Sequence, residues 1–159
     1  LTVMFAGESS DCDAVRPVLN GLSDRLVHVG DQPGMGQAVK LANNFLSATA
    51  LAATSEAVAF AVGAGVDMST VLAVLNESSG QSAASTDKFV NHVLTQRFSS
   101  GFQNTLMAKD VQLYLDATEP SGAPAQIGHL IASIWNHFAS SEPGVDFTRI
   151  HEFLADQRD

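Results

Sequence analysis

Apolar residues recur along this chain in two rhythms, and the change between them falls near Pro33. Before it the apolar runs are short. "LTVMFAGE" (residues 1–8) is rich in β-branched and aromatic side chains and predicts a strand, and "RLVHVG" (residues 25–30) predicts a second. Between them, "AVRPVLNGLSD" sets Val15, Val18, Leu19 and Leu22 at the spacing of a helix with one apolar face. Asp11 or Asp13 stands where a cap is expected, and Pro17 is read as sitting early, where its missing N–H costs least. Strand, helix and strand in so short a span make a scrap of α/β architecture, too small to be a domain alone.

After Pro33 every stretch reads as helix or short loop. Residues 36–64 predict one unusually long helix, closed by Gly63 and Gly65. Asp67 is placed to cap "MSTVLAVLNES", which Ser78, Ser79 and Gly80 interrupt. "SAASTDKFVNHVLTQ" (residues 82–96) predicts another helix, then the loop "RFSSGF". Asn104 or Thr105 opens "LMAKDVQLYLDATE", and the stretch from Pro120 to Pro124 ends it. "PAQIGHLIASIWNHFASS" carries Pro124 at its expected first turn, and "FTRIHEFLADQ" (residues 147–157) is a last short helix.

Composition narrows the picture. With 159 residues, 45% of them hydrophobic and 16% charged, the chain has material for one globular core, with or without an appendage. A net charge of -9 weighs against nucleic acid and against an anionic membrane surface, both of which ask for clustered Lys and Arg. "FLSATALAATSEAVAFAVGAGV" is apolar enough to suggest a membrane span. Its Glu56, the preceding Asn43 and Asn44, and its alanine content instead favour a buried helix at a tightly packed centre. Cys12 is the single cysteine, which excludes an intramolecular disulfide and fits a reducing, cytoplasmic setting. The chain opens on Leu1 inside a predicted strand, so a piece of something larger is expected.

Candidate chemistry begins at Gly34-Met35-Gly36, where a dinucleotide-binding turn would sit. The fingerprint G-x-G-x-x-G needs a third glycine, and Val39 stands there instead; the residues some twenty positions on are still helical, around Glu56. Gly36, Lys40, Asn43, Asn44 and Ser47 lie three or four apart and share one helix face, with Gly36 leaving room for something to approach. That face is either a solvated polar stripe or an amine and a carboxamide offered together to a ligand. Lys109 and Asp110 lie on a helix whose Leu106, Met107, Val111 and Leu113 face a core, and spacing alone also allows ordinary surface charges. Phe102 reads equally as a core aromatic, and Ser78-Ser79-Gly80 as a simple helix end or a small ligand loop. His129 and His137 lie eight apart without a helper, so no metal is expected. No G-x-S-x-G elbow occurs, and Cys12 has no adjacent base.

Three motifs in order carry a resemblance. "GxGQAxKLxNN" (residues 34–44), "SSG" (residues 78–80) and "GFxxxLMAKDVxL" (residues 101–113) resemble the β-hydroxyacid dehydrogenases, which include 3-hydroxyisobutyrate dehydrogenase and tartronate semialdehyde reductase. The resemblance implies a mainly α fold. It would be a helical bundle like the C-terminal domain of 6-phosphogluconate dehydrogenase, with a long first helix, preceded by a β-α-β remnant of a Rossmann domain. It implies a division into residues 1–33, the tail of the NAD(P)-binding domain, and residues 34–159, an all-helical substrate and dimerisation domain. Lys40 matches the catalytic lysine and Asn44 the carboxamide that holds the substrate. Phe102 matches an aromatic that closes over the site, and Ser78, Ser79 and Gly80 match a substrate loop at its rim. Lys109 and Asp110 are placed near the cofactor.

The implied activity is interconversion of a 3-hydroxy acid and its semialdehyde or keto form, with NAD or NADP as cofactor. Lys40 would give or take the hydroxyl proton, a step typically worth about 10²–10⁴-fold in rate. The implied partners are a small hydroxy acid and further copies of the chain, as a homodimer or homotetramer. The fingerprint and the serine–glycine carboxylate loop of the family's Rossmann domain do not occur here, so the isolated chain is expected to be inactive. A non-catalytic helical oligomerisation module and an imine-reducing relative are the competing readings. Lys40, Asn44 and Lys109 together weigh against the first, and Lys40 against the second.

Overall fold

A computed structural model of the chain describes residues 1–156, which fall into two compact units, Leu1–Asn43 and residues 44–156. The first unit holds β1 (Val3–Ala6), α1 (Ser9–Leu19), β2 (Leu26–Gly30) and the start of α2 (Met35–Gly63). β1 and β2 pair in parallel, Val3 opposite Leu26 and Phe5 opposite His28, with a register shift between Phe5 and Ala6. The pairing closes at its end where the Gly7 N–H donates to the Gly30 carbonyl at 2.9 Å.

The long helix begins where the sequence places it, and Gly36 shows why. A Cβ built on Gly36 would stand 2.8 Å from the Met4 carbonyl oxygen, so β1 backbone occupies the space that the missing side chain leaves. The room expected for an approaching ligand is therefore room for a strand.

α1 departs from its sequence reading in three ways. It starts at Ser9 behind Glu8, so Asp11 lies inside the first turn and caps nothing. A carboxylate there still favours the positive helix end. Pro17 falls in the last third of the helix, not its first turn. Val18 and Leu22 are exposed, at 75% and 66%, and the residue that α1 buries is Cys12.

The second unit is built of the remainder of α2, α3 (Met68–Asn76), a π-helical segment Ala84–Val93, α4 (Asn104–Ser121), α5 (Gln126–Ser141), a 3₁₀ turn Phe147–Arg149 and α6 (Ile150–Ala155). Several boundaries refine the sequence reading. Asp67 is the residue before α3, but its side chain makes no capping hydrogen bond. Pro120 lies inside α4 near its end, and the helix stops at the left-handed Gly122. Pro124 precedes α5 instead of entering it. The helix expected over residues 147–157 is a 3₁₀ turn followed by a short α-helix; its expected last residue, Gln157, lies outside the described residues. Residues 84–93 are helical as expected but wound wider than α, with bonds such as Leu94 N–H to the Phe89 carbonyl at 2.8 Å, five residues back.

The core of this unit gathers Leu51, Val58, Phe89, Val111, Trp135, Phe138 and Ile150, all at 1% exposure or less. Burying side chains of this size stabilises by roughly 1.5–3 kcal/mol each. The Trp135 indole N–H donates to the Ala48 carbonyl at 3.3 Å and fixes α5 against α2. Only one face of α2 is covered: Ala48, Leu51, Ala52, Ser55 and Val58 are buried, while Leu46 and Phe60 are 63% and 80% exposed. The helix expected at a tightly packed centre is thus half inside and half outside.

Two polar side chains hold the closing segment. Asn104, fully buried, donates from Nδ2 to the Glu142 carbonyl at 2.8 Å and accepts from the Gly144 N–H at 3.0 Å. Asp146 accepts from the Ser100 hydroxyl at 2.9 Å, the Gly101 N–H at 3.0 Å, and the Thr148 N–H at 3.1 Å and hydroxyl. Burial pushes the Asp146 carboxyl up. The hydrogen bonds from Thr148, Ser100 and Gly101 outweigh it and hold the group below its ordinary value.

Candidate active site

Of the residues singled out in the sequence, the second unit brings three together. Asn44, on α2, donates from Nδ2 to Asp110 Oδ2 at 2.7 Å. Asp110 is 6% exposed, so this carboxylate is a buried fixture of α4 and not the ordinary surface charge that spacing alone allows. Lys109 is its neighbour in sequence and in charge: Nζ stands 4.0 Å from Asp110 Oδ1, with the lysine side chain 61% exposed. An exposed cation thus stands beside a sunken carboxylate that grips a carboxamide. One residue beyond Asn44, Phe45 stacks on Tyr114 of α4, rings 4.2 Å apart and 4° from parallel, which holds the two helices at this spacing.

The other candidates are placed separately. Lys40 is exposed and lies on α2 four residues before Asn44, in the first of the two units. Phe102 is partly buried and meets Phe147 edge to face at 5.6 Å. Ser78, Ser79 and Gly80 are exposed after α3, where the Ser78 N–H bonds back to the Leu75 carbonyl at 3.2 Å and ends the helix. A cleft of about 580 Å³ between α4 and α5, lined by Gln112, Asp116, Glu119, His129 and Asn136 among others, includes none of the candidates. Among the described residues no group of three or more His, Cys, Asp or Glu is placed to hold a metal ion.

Sequence reasoning paired Asn44 with Lys40 and Lys109 with Asp110, but missed the bond from Asn44 to Asp110. The two are 66 residues apart, and no local spacing encodes such a contact. Tyr114 was missed for the same reason.

A family model described as "NAD-binding of NADP-dependent 3-hydroxyisobutyrate dehydrogenase" matches residues 34–154. The chain belongs to this family. All the candidates fall inside the matched span of this 3-hydroxyisobutyrate dehydrogenase family. The chain is similar to 2-(hydroxymethyl)glutarate dehydrogenase of Eubacterium barkeri, 30% identical over 85% of this chain and 44% of the relative. It is also similar to the mitochondrial 3-hydroxyisobutyrate dehydrogenase of Drosophila melanogaster, 28% identical over 99% of this chain and 51% of the relative. Among solved structures, Mycobacterium tuberculosis 3-hydroxyisobutyrate dehydrogenase with L-serine superposes with a TM-score of 0.88 at 29% identity, covering 96% of this chain and 55% of that one. The chain spans about half the length of the curated relatives it matches. The helical bundle that follows a short β-α-β start is shared with the part of the Mycobacterium tuberculosis enzyme that superposes.

Proposed function

We propose that this chain supplies the substrate-side helices of an NAD(P)-dependent oxidoreductase that interconverts a 3-hydroxy acid and its semialdehyde or keto form. The observation that carries the reading is the Asn44 carboxamide, braced by a buried carboxylate within the span that matches the dehydrogenase family. The named relatives point to the substrate class. 3-Hydroxyisobutyrate, 2-(hydroxymethyl)glutarate and L-serine each carry a primary hydroxyl one carbon removed from the carbon bearing a carboxylate.

In this reading the Lys40 amine receives the substrate hydroxyl proton in oxidation and returns it in reduction, and Asn44 hydrogen-bonds the substrate. Phe102 closes over the acid, and residues 78–80 form the rim. Of the residues present, Lys109 suits an anionic cofactor, being an exposed ammonium on a short tether to α4. The nicotinamide supplies the hydride chemistry; these residues orient substrate and move the proton. The 159 residues contain no G-x-G-x-x-G, so the binding of the dinucleotide pyrophosphate is assigned to other chain.

The whole enzyme is a homo-oligomer in the same reading. Leu46, Ala50, Ala53, Ala57 and Phe60 recur at alternating steps of four and three on α2, and all but the partly buried Ala50 are exposed. Such a stripe suits close packing against a second copy.

Kinetics of the full-length protein test the assignment. Lys40→Ala should lower kcat for a 3-hydroxy acid by about 10²–10⁴-fold, the usual worth of positioned proton transfer. The isolated 159-residue chain should form no NADH or NADPH. Wild-type turnover in the variant removes Lys40 as the acid/base, and turnover by the isolated chain overturns the division of labour.

A further inference from the structure

A carboxamide has two chemically opposite edges, a donor edge at Nδ2 and an acceptor edge at Oδ1, and which of them faces a ligand decides what it recognises. For Asn44 one of these edges is committed to a nearly buried residue. Nδ2 lies 2.7 Å from Asp110 Oδ2, and the Asp110 side chain is 9% exposed. A carboxylate only accepts hydrogen bonds, so turning Oδ1 toward it would set two acceptors face to face. The amide is therefore held with its nitrogen toward α4 and its oxygen on the opposite edge. The bond is charge-assisted, the stronger kind, and the Phe45–Tyr114 stack keeps the two helices at the distance it needs. Asp110's second oxygen is engaged electrostatically by Lys109, with Nζ at 4.0 Å, so the carboxylate is anchored at both ends.

We infer that Asp110 is a positioning residue for substrate binding: it fixes the orientation of the Asn44 carboxamide and itself contacts neither substrate nor cofactor. This differs from the cofactor role that the resemblance implies for Asp110, and it separates the two members of the Lys109-Asp110 pair. Lys109 works outward at the rim; Asp110 works inward through Asn44. The inference rests on the reading of Asn44 as a substrate contact, and its test keeps the two apart.

The test is a double-mutant cycle on the full-length enzyme, with KM and kcat for a 3-hydroxy acid measured separately and each variant's fold checked by circular dichroism and its thermal midpoint. Asp110→Asn lets the amide turn either way. It should raise KM roughly tenfold, the scale of one lost charge-assisted hydrogen bond, with a smaller change in kcat and no change in KM for the dinucleotide. In an Asn44→Ala background, Asp110→Asn should add nothing further to KM. The exchange Asn44→Asp with Asp110→Asn keeps a donor opposite an acceptor with the polarity reversed. It should recover the thermal midpoint but not KM, whereas a merely structural brace would recover both.

An unchanged KM in Asn44→Ala removes the substrate role of Asn44 and this inference with it. A raised KM in Asn44→Ala, with Asp110→Asn either silent or simply multiplicative, overturns the inference alone. So does an exchange variant with wild-type KM, or a dinucleotide KM that rises in Asp110→Asn.

Discussion

Asp146 shows how much a single side chain can organise when its donors come from both sides of a loop. Ser100 and Gly101 approach from the stretch before α4, and Thr148 from the 3₁₀ turn after α5. These bonds lower the carboxyl below its ordinary 3.8 although burial works against them. Because the native value is depressed, the stabilisation is fully present above the unfolded value and is lost as pH falls through the native one. Asp146→Asn should therefore lower stability by about 1–2 kcal/mol near neutral pH, the usual size of a lost cap and its companion bonds. Denaturant titrations of the two proteins should converge as the medium is acidified below pH ~4. A gap that stays constant into strong acid would assign the effect to side-chain shape instead of charge. In the sequence Asp146 was one letter of the loop "EPGVD", and nothing nearby announced its partners, one group of which lies 46 residues away.

At the scale of elements, helices were legible where a 3.6-residue rhythm met a clear stop, and obscure where packing chose the boundary. α2 was visible from its length and its closing glycines, and α4 from Asn104 onward. In α1 the apolar spacing misleads, because Val15 and Val18 face outward and the buried residue is a cysteine. The segment Ala84–Val93 is legible as helical but not as π-wound, since its buried Ser85, Phe89 and Val93 recur every four residues, a spacing that an α-helix also gives. Lys40, Lys109 and Phe102 were legible as motif letters; the clasp between Asn44 and Asp110 had no local signature. Gly36 gives this scale its own experiment. Gly36→Ala adds a methyl group 2.8 Å from the Met4 carbonyl, a backbone atom that cannot swing aside. The strain should exceed the helix-propensity gain of at most ~1 kcal/mol and destabilise the first unit by about 1–3 kcal/mol. Hydrogen exchange of the β1 and β2 amides reads this directly, and slower exchange in the variant would refute the close-contact account.

For the molecule as a whole, the uncovered face of α2 is the dominant unmet demand. The helix is long and apolar enough to cross a membrane by length and composition, yet one face is spent on the core and 33% of its most apolar window is buried. Phe60, at 80% exposure, lies in the outward stripe that the second copy proposed above would cover. Phe60→Asp should shift the full-length protein toward smaller species in sedimentation velocity while leaving its circular dichroism intact. An unaltered distribution across a hundredfold concentration range would place the contact elsewhere. The single tryptophan offers a means to follow such work. Trp135 is sealed from solvent, and its indole nitrogen is tied to the α2 main chain. In the 159-residue chain its emission is therefore a built-in optical gauge of whether α2 is seated on α5, and no second tryptophan within these residues competes with the signal. Dye labelling is unnecessary, and a red shift at any step of a denaturation series marks the moment that helix lets go.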